Sequence, residues 1–236
     1  MTGGLRFTPA RVRGAEHLDD RNLSPAIALR SLADVRRCNR LFGGTAVILD
    51  ALRPTLLHAA ACGETLSLLD VGTGMGDIPA AIRTLAARLG VEVRTTGLEW
   101  TAPIARAALP ACDTALVGDA RRLPFAGGSF DVVTCSQVIH HLDDPDATRA
   151  IAELHRVARR AVVIGELRRS WLAVAGLWLA SWPLAFHPVS RHDGVVSILR
   201  GFERTELEAL VARTTGRTPQ VATRPAFRVS AFWTVT

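Results

Sequence analysis

The chain has 236 residues, 48% of them hydrophobic, which excludes a globally disordered polypeptide and suits one α/β domain with an added segment, or at most two small domains. A formal net charge of +6 invites a nucleic-acid partner, but all 28 basic residues are Arg, scattered mostly as singles and pairs. A nucleic-acid binder concentrates its charge on one face, whereas an Arg-only, Ala-rich composition is what a GC-rich genome produces, so that class is set aside.

Residues 1–20 are polar and rich in Arg and Gly, and read as a loose tail. They contain no apolar h-region, so no secretory signal is expected. From Ser24, apolar residues recur at helical spacing (Ile27, Leu29, Leu32, Val35, Leu41), with Ser24 as N-cap, Pro25 at the first helical position and Gly43–Gly44 as the stop. A second helix is expected over 45–60. LSLLDV is a continuous apolar run and reads as a buried strand. A helix opens at or just before Asp77, itself a candidate N-cap, and ends near Gly90. VEVRTTGLEW is the second strand, followed by helix 101–109. TALVGD and FDVVTCSQ are the third and fourth strands. Helix 145–159 leads into AVVIGEL, the fifth. Segment 168–202 interrupts the alternation, helix 203–214 resumes it, and strand-like pieces near 217–223 and 226–235 close the chain. Strands alternating with helices imply a mostly parallel sheet covered on both faces. The expected fold is α/β and Rossmann-like: a doubly wound, mostly parallel seven-stranded sheet, with an N-terminal helical extension and an apolar helical insert after strand five.

Cys38, Cys62, Cys112 and Cys135 form no CxxC pair and have no histidine at zinc-ligand spacing. Buried thiols in a reducing cytoplasm are expected, and no metal. The longest uncharged run, Trp171 to Phe186, has 16 residues and is interrupted by Pro183, whereas a membrane span needs about 20.

LLDVGTGMGD places Gly72, Gly74 and Gly76 directly after the first strand. In an open parallel sheet this is where ligands sit, and alternate glycines remove the Cβ atoms that would keep one away. A dinucleotide needs G-x-G-x-x-G. Here the spacing is different, and Asp70 and Asp77 put negative charge where a diphosphate would dock. These carboxylates suit a cationic ligand. Glu99, ending the second strand in GLEW, is placed to accept from ribose hydroxyls. Asp119 follows the third strand in GDARRLPF, and Ser136 and Gln137 follow the fourth in SFDVVTCSQVIHHL.

Taken in order, these four motifs resemble the class I S-adenosyl-L-methionine (SAM) dependent methyltransferases, in the methyltransferase type 11 branch that includes ubiquinone and menaquinone methyltransferases. The resemblance covers residues 64 to 167. RSLADVRRCNRLFGG and the later RHDG are also similar to a bacterial subgroup associated with type III polyketide synthases and phenolic lipids. The resemblance implies a tail and helical cap over 1–60 and a methyltransferase domain over 61–236, with a substrate-side insert at 168–202. It implies SAM as cofactor, with Asp70, Gly72, Thr73 and Gly74 along the methionine end, Glu99 on the ribose, Trp100 stacked on the adenine, Asp119 and Ala120 at the adenine edge, and Gln137 facing the methyl group. In the departures from the common pattern, Trp100 directly follows the acidic residue.

The acceptor is expected to be a hydrophobic small molecule. His140 and His192 are the candidate bases, because a phenol needs one and histidine has the matching pKa. His192 belongs to SRHDG, read as a polar loop after an apolar helix. His141, Arg191, Asp193 and Trp178 are the candidate substrate-binding residues. His17, His58, His155 and His187 are background. The Trp171–Phe186 run reads as a buried helix, an interfacial anchor or a lid over an apolar pocket, so contact with a membrane periphery is an expectation alongside a cytoplasmic location. O-methylation of a phenolic or quinol-type acceptor is expected, C-methylation of a quinone ring is the alternative, and a non-catalytic SAM-fold binder or a nicotinamide oxidoreductase are the readings from other classes.

Overall fold

The computed structural model describes residues 8–20 and 22–235. Five parallel strands, β1 (Leu66–Val71), β2 (Val93–Glu99), β3 (Thr114–Val117), β4 (Phe130–Ser136) and β5 (Ala158–Leu167), form the body of one sheet. β6 (Gln220–Arg224) and β7 (Arg228–Thr234) make a hairpin that joins antiparallel to β5. The order is β3-β2-β1-β4-β5-β7-β6, so the chain reverses its direction of winding between β1 and β4. The crevice beyond the carboxyl ends of those two strands is where an open α/β sheet binds ligands.

Alternate strand residues point to opposite faces, and each face has its own core. Leu69, Val71, Val133, Cys135, Val162 and Ile164 pack with α5 (Asp144–Val157) and α8 (Arg204–Thr215). Leu66, Leu68, Val132 and Val163 pack with α2 (Gly44–Cys62) and α3 (Asp77–Arg88). The α2 residues Val47, Ile48, Leu52, Leu56 and Ala59 are all at most 2% exposed, so this helix lies on the sheet. A short helix α4 (Ala102–Ala108) follows β2.

Several expectations from the sequence are corrected here. α1 (Pro25–Leu41) forms with Ser24 at its N-cap, but its buried residues are Ala28, Ser31, Asp34 and Asn39, while Leu41 is 51% exposed. The buried stripe is polar because it faces a cavity and a hydrogen-bond network. Asp77 is the first residue of α3, and Gly76 in the left-handed region occupies its cap. SRHDG is not a loop: it lies within α7 (Pro188–Arg200), started by Pro188 and by the His187 side chain, which accepts from Val189 N. Cys112 and Cys135 are buried, but Cys62 is exposed and Cys38 half-buried.

The tail reading covers residues 1–7, which lie outside the described residues, and 8–20, which are held against the body. Val12 N donates to Leu199 O, Arg169 Nε donates to Pro9 O, and Glu16 is 4% exposed. Segment 168–202 is α6 (Trp171–Ser181) followed by α7; α6 packs on α7, and α7 packs on α1 and on the strap formed by residues 8–20.

Candidate active site and cofactor loop

The glycine loop is shaped by backbone conformation and by close packing. Gly72, Gly74 and Gly76 have φ of 71°, 56° and 74°, in the left-handed region that side chains disfavour. A Cβ on Gly72 would lie 2.2 Å from Val138 Cγ2, and one on Gly76 2.5 Å from Ala111 Cβ. Around Gly74 the nearest atom would be Leu32 Cδ2 at 3.8 Å, so this face is a cradle that a side chain would fill. Gly74 N donates to Glu99 Oε1 at 2.5 Å, and Trp100 N donates to Glu99 Oε2 at 3.0 Å. The buried Glu99 carboxylate therefore joins the β2 terminus to the loop. Thr73 is buried, its N donating to Leu98 O.

Asp70 is 1% exposed and accepts from Thr134 Oγ1 at 2.6 Å. Burial pushes its carboxyl up to about 7, against the pull of hydrogen bonds from Thr134 and Thr73, and the neighbouring Asp77 and Glu99 add to the rise. Asp77 and Glu99 are also raised, again chiefly by burial. Three crowded carboxyls that resist ionisation are relieved by a cation. A ligand with a positively charged sulfur, an ammonium group and a ribose fits this donor and acceptor set; a diphosphate does not.

At the outer edge, Trp100 is 36% exposed and lies 5.4 Å from the Arg121 guanidinium. Asp119 is gripped by Arg121, whose Nη2 donates to Oδ2 at 2.7 Å and whose Nη1 reaches Asp146 Oδ2 at 2.6 Å. Ala120 is half-buried beside it. Gln137 has φ of 57°, uncommon for a residue with a side chain, and its N donates to Gly165 O. Its Nε2 donates to Asn39 Oδ1 at 2.5 Å, and Asn39 Nδ2 donates to Asp77 Oδ2 at 3.0 Å. Asn39, which the sequence reading missed, thus ties α1 to both the cofactor loop and the end of β4.

Gln137 also lines a cavity of about 240 Å³. Its wall is mostly apolar: Val35 and Phe42 from α1 and its cap, Leu172 and Leu177 from α6, Ile198 from α7, and Phe227 before β7. Three buried polar atoms in residues of that wall, Ser31 Oγ, Asp34 Oδ1 and Arg228 Nη1, have no hydrogen-bond partner among the described residues, although Arg30 Nη1 lies 3.4 Å from Asp34 Oδ1. Neither Ser31, Asp34 nor Arg228 was singled out from sequence. For Ser31 and Asp34 the signal was a polar stripe at helical spacing in α1, masked by the apolar residues between.

Four of the seven histidines fall into two clusters. His140 is 2% exposed; its Nδ1 lies 2.7 Å from Glu166 Oε2, and its Nε2 lies 3.7 Å from Glu16 Oε1. His141 Nδ1 lies 2.6 Å from Asp19 Oδ1. Burial lowers the pKa of His141, but the bond to Asp19 and the nearby Glu16 outweigh it and hold the imidazole above its ordinary value. His192 is exposed, its Nδ1 2.9 Å from Asp193 Oδ1, with the His17 ring 4.5 Å away. His17, treated as background, shares Asp193 with it, its N and Nδ1 both 2.9 Å from Oδ1. Asp193 and Glu16 line the cavity; His140, His141, His192, Arg191 and Trp178 do not. Arg191 instead sits 4.2 Å over the Trp182 ring, and Trp178 is 50% exposed.

Strand order, glycine loop and the acidic end of β2 together define the class: a class I, SAM-dependent methyltransferase fold. Residues 69–164 match the family described as "Methyltransferase domain", and that segment is one. A demethylmenaquinone methyltransferase from Roseiflexus sp. (strain RS-1) is 35% identical over 134 residues, 53% of this chain and 54% of the relative. The chain therefore spans about half the length of the curated relatives it matches. Among solved structures, human N-acetylserotonin methyltransferase in complex with SAM superposes with a TM-score of 0.61 at 14% identity, over 89% of this chain and 56% of that one. A SAM-dependent methyltransferase from Aquifex aeolicus superposes with a TM-score of 0.58 at 14% identity, over 91% of this chain and all of that one (100%). SAM is the cofactor of this class, and Asp70, the glycine loop and Glu99 fit it.

Proposed function

We propose that the chain methylates an apolar small molecule with a phenol or quinol ring, on oxygen, in the cavity beside Gln137. The observation that carries this reading is the cavity wall: apolar, with Ser31 and Arg228 each contributing a buried polar atom that has no hydrogen-bond partner among the described residues. Such atoms cost about 1–3 kcal/mol each when left unmatched, so a ligand bearing ring oxygens and an apolar tail is what this wall complements.

When bound, SAM supplies an electrophilic methyl group on sulfur. Asp70 would hold its methionine end and Glu99 its ribose, and Gln137, fixed by Asn39, lines the cavity. Holding the acceptor oxygen in line contributes about 7–11 kcal/mol to lowering the barrier. Methylation of a hydroxyl oxygen also requires that its proton leave. Asp193, which lines the cavity, would take that proton and pass it to His192, whose Nδ1 lies 2.9 Å from Asp193 Oδ1 and whose ring is exposed to water. His140 stands behind Glu16, its Nε2 3.7 Å from Oε1, with no exposed face.

Titration calorimetry with SAM, S-adenosylhomocysteine and NADH tests the cofactor: binding of the first two alone is expected. Alkylated phenols and quinols then test the acceptor. His192→Ala is expected to lower kcat by about 10²-fold. If His192→Ala and His140→Ala both kept full kcat across the pH range, the base assignment would fall. A second reading, transfer to a ring carbon, is favoured by the name of the Roseiflexus relative. The product's NMR spectrum separates them: an aryl methoxy signal supports oxygen, a ring methyl signal carbon.

A further inference from the structure

We propose that the outer face of α6 and the turn into α7 docks on the surface of an anionic lipid bilayer, with the cavity mouth opening toward the lipid. The docking rests on the surface alone; its link to catalysis rests on the reading of the cavity given above.

α6 is apolar on every side, and a helix of that kind is ordinarily buried. Here Trp171, Leu172, Trp178, Leu179 and Trp182 are 50–64% exposed. Their spacing puts them on one face, about three helical turns long. Three of the five tryptophans of the chain stand on this face. Tryptophan is the side chain that settles at the boundary between headgroups and hydrocarbon. A contiguous exposed patch of this composition marks an interaction surface.

Charge selects the partner. No Asp or Glu occurs between Glu166 and Asp193. Arg191 lies over Trp182, and Arg30 and Arg37 of α1 reach across to Ala185 O and Leu184 O in the turn that follows α6. Arg168, half-buried, stands at the start of the segment, over the Phe227 ring. Cations at the border of an apolar face complement anionic headgroups. The 11 residues of α6 extend about 16 Å, short of the ~30 Å hydrocarbon core, and no helix among the described residues is long and apolar enough to cross a membrane. The helix therefore lies along the interface.

The face is continuous with the cavity. Leu172 and Gly176 are exposed and also line the cavity, next to Ala173 and Leu177 on the inner side of the same helix. An acceptor with an apolar tail passes from the bilayer to Gln137 past one helix without crossing water.

The test is flotation of the full chain with vesicles of phosphatidylcholine alone or mixed with phosphatidylglycerol, with acyl-chain bromination to quench tryptophan. Binding to the mixed vesicles, weakened by salt and accompanied by quenching, is expected. The triple variant Trp171→Ser, Trp178→Ser, Trp182→Ser is expected to bind at least about tenfold more weakly, while Leu57→Ser, an exposed apolar residue on α2, binds as before. Unchanged SAM binding and thermal unfolding show that the triple variant is folded. Failure of the full chain to float, or equal binding by the triple variant, overturns the proposal. So does a concentration-dependent dimer in sedimentation velocity that the triple variant abolishes, because the face is then an interface between two copies. The vesicle measurement needs neither SAM nor acceptor, so loss of the catalytic reading would leave its result standing.

Discussion

Asp70 carries the largest electrostatic burden of the loop. Its folded pKa of about 7 lies above the value of an unfolded aspartate, near 4, so the folded chain without cofactor binds more protons than the unfolded one between those limits. Stability therefore falls as pH rises from about 4 to about 7, and the deficit persists above. Asp70→Asn keeps an acceptor for Thr134 and removes the buried charge. It is expected to raise the stability of the cofactor-free chain by about 1–3 kcal/mol near pH 8, measured by urea unfolding, and to weaken SAM binding at least about tenfold by calorimetry. For the unmutated chain, SAM affinity is expected to fall as pH drops below about 7, because protonated Asp70 no longer attracts a cation. Equal affinity on both sides of that pH would remove Asp70 from the cofactor site.

At the scale of elements, α1 joins the cofactor loop to the cavity. Asn39 fastens it to Asp77 and Gln137, and Asp34 fastens it to α7 by accepting from Ser190 Oγ at 2.8 Å and to the preceding turn through His187 N at 2.9 Å. Asn39→Leu leaves two polar partners unmatched. The expected loss is about 1–3 kcal/mol for each, read from urea unfolding, together with a lower kcat for any accepted substrate, since Gln137 is no longer held. A variant with normal kcat would mean that the φ of 57° at Gln137 is maintained by the β4 terminus alone.

Across the whole molecule, the strap of residues 8–20 closes over the ends of α5 and α7 and is clamped by one side chain. Arg200 Nη1 donates to Asp19 at 2.7 Å and Glu16 at 3.2 Å, while Nε and Nη2 donate to His140 O and His141 O. Glu16, Asp193, the histidine pair and the cavity are thus one unit. Arg200→Ala leaves the buried Glu16 charge without its main partner. A loss of about 3–5 kcal/mol is expected, along with faster proteolysis before residue 20 than in the unmutated chain. An unchanged cleavage rate would show that the strap is held by its backbone contacts instead.

The central sheet and cofactor loop were legible because their signals are local. A continuous apolar run, three glycines and acidic residues at strand ends require no knowledge of what packs against them, and β1, β2 and β4 appear where those runs lie. Elements on the substrate side were less legible. α1 was recognised as a helix from Ser24, Pro25 and its apolar spacing, yet its buried face is the polar one, because neighbours in space turn Ser31, Asp34 and Asn39 inward. The strap looked like a tail because its ordering comes from Asp193 and Arg200, about 175 or more residues away in the chain, and only tertiary contact supplies such partners. His192 and His140 were visible as residue types, but that each stands one carboxylate behind the cavity wall is decided by how α7 and the turn after β4 pack. What sequence alone determined is the α/β class, the strand succession and the loop that suits a cationic cofactor, since periodicity and backbone conformation are properties of short stretches. What tertiary structure decided is which polar groups face the cavity and which apolar ones face outward, since burial is a property of the neighbours.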